Sequence, residues 1–434
     1  MLRKILAGII LLFLFIPLLQ QEFSLVKTKD LSGVYSKTLP EPFTINNWLD
    51  GAYQTRQEKY LNENFGFRST CVRINNQLAF SLYNEARAIS VIIGKGNYLY
   101  GDGYVNSWYG TDFIGDSLIE ENICKLKVIQ DTLQKKNITL LLMFVPGKGM
   151  FFPEFLPALP VQTKKITNYE CYRDRLKGSG IPLLDMCSYL CTLKAKSPYP
   201  LFPKTGIHWS LYGAEVSADS MGRFISALRH KDLPRISITD VEWDIKPRGS
   251  DDDVETGMNL LFPISKFRMA YPLIKVDTLN TVKPKALIIA DSYLWNIYGT
   301  GRAGQLFTSP HFWYYYKDLY VPGVNGTLKN EFIDLKTEIE QQDVIILFAN
   351  DARLLDLGEG FIDDAYDLYV HAGTGMKARK EARLKDIQAR IEDMKRNTEY
   401  LNNIRRQAES RKIPIDSLLK EEATDSYDRD HQKR

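Results

Sequence analysis

The stretch KPKALIIADSYLWN, residues 283–296, runs from a short apolar segment directly into Asp291 and Ser292. An apolar run of this length, bounded by polar residues, is typical of a buried strand. Sites in open parallel sheets form at the carboxyl ends of strands, so Ser292 is a candidate nucleophile. Taken alone, the residue is better explained as a helix N-cap, because a serine hydroxyl accepts a hydrogen bond from a free backbone N–H.

The same pattern recurs in three other segments: ITLLLMFVP (138–146), GIPLLDM (180–186) and DVIILFA (343–349). Between these segments, apolar residues recur at helical spacing, first at Ile119, Ile123, Leu126, Ile129 and Leu133 and later at Leu211, Val216, Met221, Phe224 and Leu228. Short apolar strands that alternate with helices predict an α/β fold, with a parallel sheet flanked by helices on both faces.

Composition divides the chain into four segments: an apolar start (1–23), a spacer with a helical lead-in (24–90), the α/β domain (91–372) and a charged helical C-terminal extension (373–434). A heptad-like stripe in the extension fits a helix packed on its own domain at least as well as a coiled coil. Residues 235–282 form a polar, strand-like insertion in the domain. The run GSDDDVETG within this insertion lacks EF-hand spacing, so we expect a solvated loop there and no calcium site.

At the N-terminus, Arg3 and Lys4 precede an uncharged run from Ile5 to Leu19 with no A-x-A-like cleavage site after it. The run predicts an uncleaved signal anchor. Because it is shorter than the roughly 20 residues that usually span a bilayer, a cleaved signal peptide is the alternative. Either interpretation places the bulk of the chain outside the cytoplasm.

The overall composition excludes some classes of protein. A formal net charge of +3, with 44% hydrophobic and 25% charged residues, is that of a globular protein without the basic surface expected of a nucleic-acid-binding protein. The five cysteines are too few and too scattered for a disulfide framework or a zinc site.

A second candidate for chemistry is His208, in the segment YPLFPKTGIHWSLYGAE (199–215), where His208 and Trp209 open a predicted helix. A histidine at a helix start is as easily structural as it is a general base.

Four segments together resemble the alginate O-acetyltransferase family (AlgJ/AlgX type), which has an SGNH-hydrolase-like domain. They are GKGNYLY (94–100), VPGKGMFFPEFLP (145–157), GIHWSLYGA (206–214) and ADSY (290–293), in the order that the family shows. The resemblance implies that Ser292 is the nucleophile, that His208 is its general base, and that the Ser292 N–H contributes to an oxyanion hole.

The family's aspartate two residues before the histidine is replaced here by Gly206. Loss of an orienting carboxylate lowers the rate by roughly 10⁴ in triad enzymes, so we expect a slow Ser292–His208 dyad. A backbone carbonyl or an acid from elsewhere in the chain, such as Asp185, could orient His208 instead. On the resemblance, Gly206→Asp should raise activity if the backbone there follows the family path, unless Gly206 adopts a positive φ that aspartate tolerates poorly.

Residues around the same sheet edge are weaker candidates for substrate or oxyanion contacts. Asn350 can donate to an oxyanion or a sugar hydroxyl, and Arg353 can bind an anionic group, although both are common turn residues. Asp291 adjoins the nucleophile but should point away from it. The aromatic run HFWYYY (311–316), with Trp108 and Tyr109, could stack on sugar rings, although core packing explains most such clusters.

These observations leave two classes of function open, besides an acetyl esterase. One is an O-acetyltransferase for an exported polysaccharide or cell-surface glycan; the other is a non-catalytic glycan-binding or export-complex relative. No nucleotide or CoA motif and no cofactor site is predicted. The resemblance implies a membrane-bound O-acyltransferase as acetyl supplier and a location at the periplasmic face of the inner membrane of a Gram-negative cell.

Overall fold

The computed structural model describes residues 2–33, 38–40, 42–157 and 163–431, which form two compact units: Met1–Asn75 with Met376–Arg434, and Asn76–Gly375. The helices are α1 (Leu2–Phe23), α2 (Ile45–Leu49), α3 (Ala52–Asn64), α4 (Arg68–Tyr83), α5 (Asp102–Tyr109), α6 (Asp116–Lys135), α7 (Lys148–Phe151), α8 (Asn168–Leu176), α9 (Met186–Leu193), α10 (Leu211–Arg229), α11 (Asp253–Met258), α12 (Trp295–Tyr298), α13 (Arg302–Leu306), α14 (Leu335–Glu340), α15 (Phe361–Val370), α16 (Thr374–Arg396), α17 (Thr398–Arg411) and α18 (Ile415–His431). The strands are β1 (Val91–Ile93), β2 (Leu99–Gly101), β3 (Thr139–Val145), β4 (Leu183–Asp185), β5 (Arg235–Asp244), β6 (Met269–Asp277), β7 (Lys285–Ala290), β8 (Thr308–Tyr314), β9 (Asp318–Tyr320), β10 (Leu328–Lys329) and β11 (Val344–Asn350).

The larger unit is built on a seven-stranded sheet in the order β10-β9-β8-β7-β11-β3-β4. The strands from β8 to β4 run parallel, whereas β9 and β10 pair antiparallel at one edge. The α/β prediction is confirmed, with the correction that the sheet is mixed. The four apolar runs are β3, β4, β7 and β11, and the aromatic run 311–316 begins in a fifth strand, β8.

Helices cover both faces of this sheet, as the apolar character of its strands predicts. One face packs against α10, whose Ala214, Ala218, Met221 and Ile225 share a buried core with alternate residues of β3, β7 and β11. On the other face, Phe144 of β3 contacts the ring of Tyr172 from α8. The carboxyl ends of β3, β4, β7, β8 and β11 therefore meet along one edge between the two helical layers.

The insertion at 235–282 is an antiparallel pair, β5 and β6, with α11 between the two strands. The expectation of a solvated loop at GSDDDVETG is wrong. Asp251 is 3% exposed, and Asp253 is the first residue of α11.

The smaller unit is helical. Its C-terminal part packs Ile404 and Ala408 of α17 against Leu418 and Leu419 of α18. Among the residues that the structure describes, no helix combines the length and the apolar character that crossing a membrane requires. The anchor at 1–23 and the four segment boundaries stay predictions.

Candidate active site

Ser292 stands at the carboxyl end of β7, on the turn that leads into α12. The cap of this turn is Asp291, whose carboxylate accepts a hydrogen bond from the Tyr293 N–H at 2.8 Å. Because Asp291 provides the cap, the Ser292 hydroxyl is not used for capping. It is partly exposed and can act in chemistry.

His208 meets this hydroxyl although it is 84 residues away in the chain, with Nε2 2.9 Å from the Ser292 Oγ. The helix that His208 was expected to open begins three residues later, at Leu211, and is capped by Ser210. The histidine therefore lies in an irregular segment. Its ring packs edge-on against Tyr293 with 4.9 Å between centroids, which fixes its plane next to the nucleophile.

The orienting carboxylate that the sequence lacks at position 206 is supplied by Asp253. Its Oδ2 lies 2.8 Å from the His208 Nδ1, and its Oδ1 accepts the Ile207 N–H at 2.9 Å. The side chains of His208 and Asp253 are 14% and 30% exposed. Serine, histidine and aspartate thus stand in the order that activates a weak hydroxyl nucleophile. The expected Ser292–His208 dyad is therefore corrected to a hydrogen-bonded series of Ser292, His208 and Asp253.

Gly206 is the reason that Asp253 can reach His208. A Cβ atom at Gly206 would lie 2.1 Å from the Ser250 carbonyl oxygen, so the acid-bearing loop packs directly on the glycine backbone. The backbone of Ser250 and Asp251 thus occupies the space that an aspartate side chain at 206 would need for the expected gain in activity. Asp185, the acid that the sequence analysis named as an example, instead caps α9, because its carboxylate accepts a hydrogen bond from the Ser188 N–H at 3.0 Å.

Two side-chain contacts hold the acid-bearing loop. The Tyr271 hydroxyl of β6 donates to the buried Asp251 carboxylate at 2.6 Å. The Asn296 amide of α12 lies 3.2 Å from the Ser250 hydroxyl and also donates to the Trp209 carbonyl at 3.0 Å. The loop is therefore tied both to its own hairpin and to the helix that follows the nucleophile.

Asp291 and Asn350 form a buried pair behind the nucleophile. The Asn350 backbone N–H and side-chain amide donate to one Asp291 oxygen at 2.7 and 2.8 Å, and the Asn350 Oδ1 accepts the Ala352 N–H. They are 2% and 1% exposed. Burial raises the pKa of Asp291. Both side chains therefore join the ends of β7 and β11. The sequence suggested the Asn350 amide as a donor to an oxyanion or a sugar hydroxyl, but this amide donates to Asp291.

Arg353 is held by Glu359, to which it donates two hydrogen bonds, at 2.8 and 2.6 Å. Its guanidinium also lies 5.3 Å from the centroid of the Tyr315 ring. Burial raises the pKa of Glu359 to about 7, although Arg353 opposes the shift. Arg353, which was predicted to bind an anionic group of a substrate, thus binds the carboxylate of Glu359 instead.

Tyr315 is a site residue that the sequence did not identify. Its backbone N–H donates to the Ala290 carbonyl at 2.9 Å, and Ser292 lies close enough to its hydroxyl to lower the pKa of that hydroxyl. Burial, and then the Asp291 charge, raise its pKa, which keeps the hydroxyl protonated. Tyr315 has a φ of 47°, in the left-handed region that side chains rarely adopt, one residue after β8 ends. Tyr315 lies near Ser292 only because β8 pairs beside β7. The sequence of the aromatic run alone therefore could not distinguish Tyr315 from the neighbouring core aromatics.

Within the described ranges, no group of three or more His, Cys, Asp or Glu side chains is arranged to hold a metal ion.

Comparison with known proteins gives a family match for part of the chain. Residues 91–247 match the model described as "SGNH hydrolase-like domain, acetyltransferase AlgX". This match includes His208 and ends before Asp253 and Ser292. Among curated proteins, "Probable alginate O-acetylase AlgJ" of Pseudomonas syringae pv. tomato is 26% identical over 41% of this chain and 44% of the relative. The Pseudomonas putida protein of the same name is 24% identical over 45% of this chain and 48% of the relative.

Two solved structures show weaker likeness. The "O-Acetyltransferase Domain of Pseudomonas putida AlgJ" has 16% identity and a TM-score of 0.44, covering 64% of this chain and 99% of that one. Pseudomonas aeruginosa AlgX has 13% identity and a TM-score of 0.39, covering 64% and 66%. The chain spans about half the length of the curated relatives it matches. Over residues 91–247, the chain is similar to the SGNH hydrolase-like acetyltransferase domain of the AlgX family, as its motifs indicated.

Proposed function

We propose that this protein is an O-acetyltransferase that acts on an exported polysaccharide or cell-surface glycan through an acetyl group carried on Ser292. The observation that carries the proposal is the hydrogen-bonded series from Ser292 through His208 to Asp253, at 2.9 and 2.8 Å. The names of the relatives, alginate O-acetylases, support a polysaccharide as acceptor.

In the first half-reaction, His208 Nε2 takes the proton of the Ser292 hydroxyl as its Oγ attacks the acetyl carbonyl. Asp253 holds the Nδ1–H tautomer and stabilises the imidazolium. The Ser292 N–H and the Tyr315 hydroxyl, which meet beside the nucleophile, would donate to the oxyanion. His208 then protonates the leaving group, and the acetyl group stays on Ser292.

In the second half-reaction, a glycan hydroxyl replaces the leaving group. His208 removes the proton of that hydroxyl, the sugar oxygen attacks the acetyl-serine carbonyl, and the returning proton restores the Ser292 hydroxyl. Water in the same position would give an acetyl esterase. The acceptor therefore decides between the two enzyme classes.

The acetyl supply and location belong to the same proposal. The basic pair Arg3 and Lys4 before an apolar run supports an anchored protein with its bulk outside the cytoplasm, away from cytoplasmic acetyl-CoA. A membrane-bound O-acyltransferase would then deliver the acetyl groups. Digestion of the chain by protease added to intact spheroplasts is expected; full protection there would contradict this topology.

The direct test is incubation with an activated acetyl ester, followed by peptide mass spectrometry. An acetyl group on Ser292, its transfer to added polysaccharide, and the loss of both in Ser292→Ala and His208→Ala are expected. Equal ester turnover by the parent and both variants would remove the enzyme interpretation and leave a glycan-binding relative. Release to water alone, with polysaccharide present, would make the protein an esterase.

A further inference from the structure

Lys148 is a buried lysine close to the site that the steps above do not use. It follows β3 as the first residue of α7 and is 0% exposed. Its ammonium donates to the carbonyl oxygens of Lys204 and Gly206, both at 2.6 Å. In the described part of the chain, no carboxylate forms an ion pair with it, which is unusual for a fully buried lysine.

The Gly206 carbonyl belongs to the same peptide group as the Ile207 N–H, which donates to Asp253 Oδ1 at 2.9 Å. A peptide group is planar, so holding its oxygen also sets the direction of its N–H. A cation at the oxygen and a carboxylate at the hydrogen polarise the group in the same sense, which strengthens both hydrogen bonds. The other oxygen of Asp253 binds His208 at 2.8 Å.

We infer that Lys148 is a positioning residue for the Asp253–His208 pair, acting through the peptide group between Gly206 and Ile207. The inference rests on the proposed catalysis at Ser292. It assigns Lys148 an effect on nucleophile activation that depends on the Asp253 carboxylate. A purely structural lysine, which only satisfies two buried carbonyls, would have no such dependence.

Burial and the charge of Asp253 act on the Lys148 ammonium in opposite directions. Burial lowers the pKa of the Lys148 ammonium well below its usual value, and the negative charge of Asp253 is the attraction that opposes this shift. The lysine and the aspartate therefore interact across the peptide although they do not touch.

The test measures the rate at which an aryl sulfonyl fluoride labels Ser292 in the full-length protein, by intact-mass spectrometry. Lys148→Met is expected to slow labelling by about 10- to 100-fold, the scale of a misplaced catalytic group. In an Asp253→Asn background, the same change should slow labelling by less than about twofold, because residues that act as one unit are not additive.

Lys194→Met is the control, at a more exposed lysine: the Lys194 ammonium also donates to a backbone carbonyl, that of Phe151 at 2.7 Å, and it pairs with Glu154, but the described residues give it no bond to the His208 segment. It should leave the labelling rate unchanged. Circular dichroism melts check folding, and Lys148→Gln, which keeps a donor without the charge, replaces Lys148→Met if the latter does not fold.

Equal slowing by Lys148→Met in both backgrounds, or no slowing in folded protein, would overturn the inference. Failure of the proposed function looks different. In that case the parent protein is labelled at Ser292 and follows the expected pattern, yet forms no acetyl-serine and acetylates no glycan.

Discussion

At the scale of the residue, the glycine at 206 and the aspartate at 253 together decide how His208 is oriented. Gly206 has no side chain, and the space beside it admits the backbone of Ser250 and Asp251. The carboxylate then arrives from a different segment. The source of the carboxylate that orients His208 is therefore not visible in the motif around His208.

The first prediction concerns these two residues. Asp253→Asn should lower ester turnover by about 10⁴-fold, because an amide favours the wrong imidazole tautomer. Adding Gly206→Asp to this variant should not restore turnover and should cost about 1–3 kcal/mol of stability through overpacking. Turnover assays and chemical denaturation measure the two effects. Recovery of activity in the double variant would show that a carboxylate at 206 is accommodated after all.

A buried carboxyl, Asp351, gives a pH prediction. It accepts hydrogen bonds from the Ser107 hydroxyl and the Gly147 N–H, and burial raises its pKa from 3.8 to about 6. A raised pKa in the folded state means that the stabilising contribution of this group is complete below pH 3.8 and is lost as pH rises through 6. The decline is at most about 3 kcal/mol, at 1.36 kcal/mol per pKa unit.

Asp351→Asn should therefore flatten the decrease in the free energy of unfolding between about pH 4 and 7. Urea denaturation at several pH values measures the slope. Asp232→Asn, at a side chain 77% exposed, is the control and should keep the parent slope. A parent protein whose stability does not fall over this range would contradict the prediction.

At the scale of the element, the β5–β6 hairpin is the part of the chain that delivers the acid. The Tyr271 hydroxyl on β6 donates to Asp251 at 2.6 Å, two residues before Asp253. The hairpin thus fixes the loop at the point where it turns into α11. Ser292, Tyr315 and Asn350, by contrast, stand at the ends of strands of the seven-stranded sheet.

Tyr271→Phe should loosen this attachment, because it leaves the Asp251 carboxylate buried with only a weak backbone donor, the Arg248 N–H at 3.4 Å. We expect a loss of about 1–2 kcal/mol in unfolding free energy, and a severalfold fall in ester turnover. In the opposite helical layer, Tyr172→Phe removes a hydrogen bond that the Tyr172 hydroxyl accepts from the Asn122 amide at 2.8 Å. It should reduce stability without reducing turnover; similar turnover losses in both variants would argue against a specific role of the hairpin.

At the scale of the whole molecule, Ser292, His208 and Asp253 all lie within Asn76–Gly375. The helices of the smaller unit have their own buried core, formed by residues such as Ile404 and Leu418. Catalysis and the helical unit should therefore be separable.

A chain reduced to residues 66–375, which keeps the whole of α4, should label with sulfonyl fluoride within about twofold of the full-length rate. Circular dichroism confirms that the shortened chain is folded. A folded but unreactive fragment would show that the helical unit takes part in forming the site.

The sequence alone determined the central strands, the helices between them and two candidate site residues. Apolar runs bounded by turns are local signals, and they identified β3, β7 and β11 within one residue at each end. Ser292 and His208 became candidates because the first ends such a run and the second stands close to a predicted helix start, whereas their roles as nucleophile and base came from the family resemblance. These are properties of short segments, which local pattern and propensity specify.

Only the tertiary structure decided the acid and the neighbours of the nucleophile. Asp253 is 45 residues from His208 and meets it because an antiparallel hairpin folds back over Gly206. Tyr315 reaches Ser292 because β8 pairs beside β7, and Asn350 turns to Asp291 because β11 ends beside it. Each of these contacts depends on how strands pair across the chain, which the spacing of residues within a segment does not record.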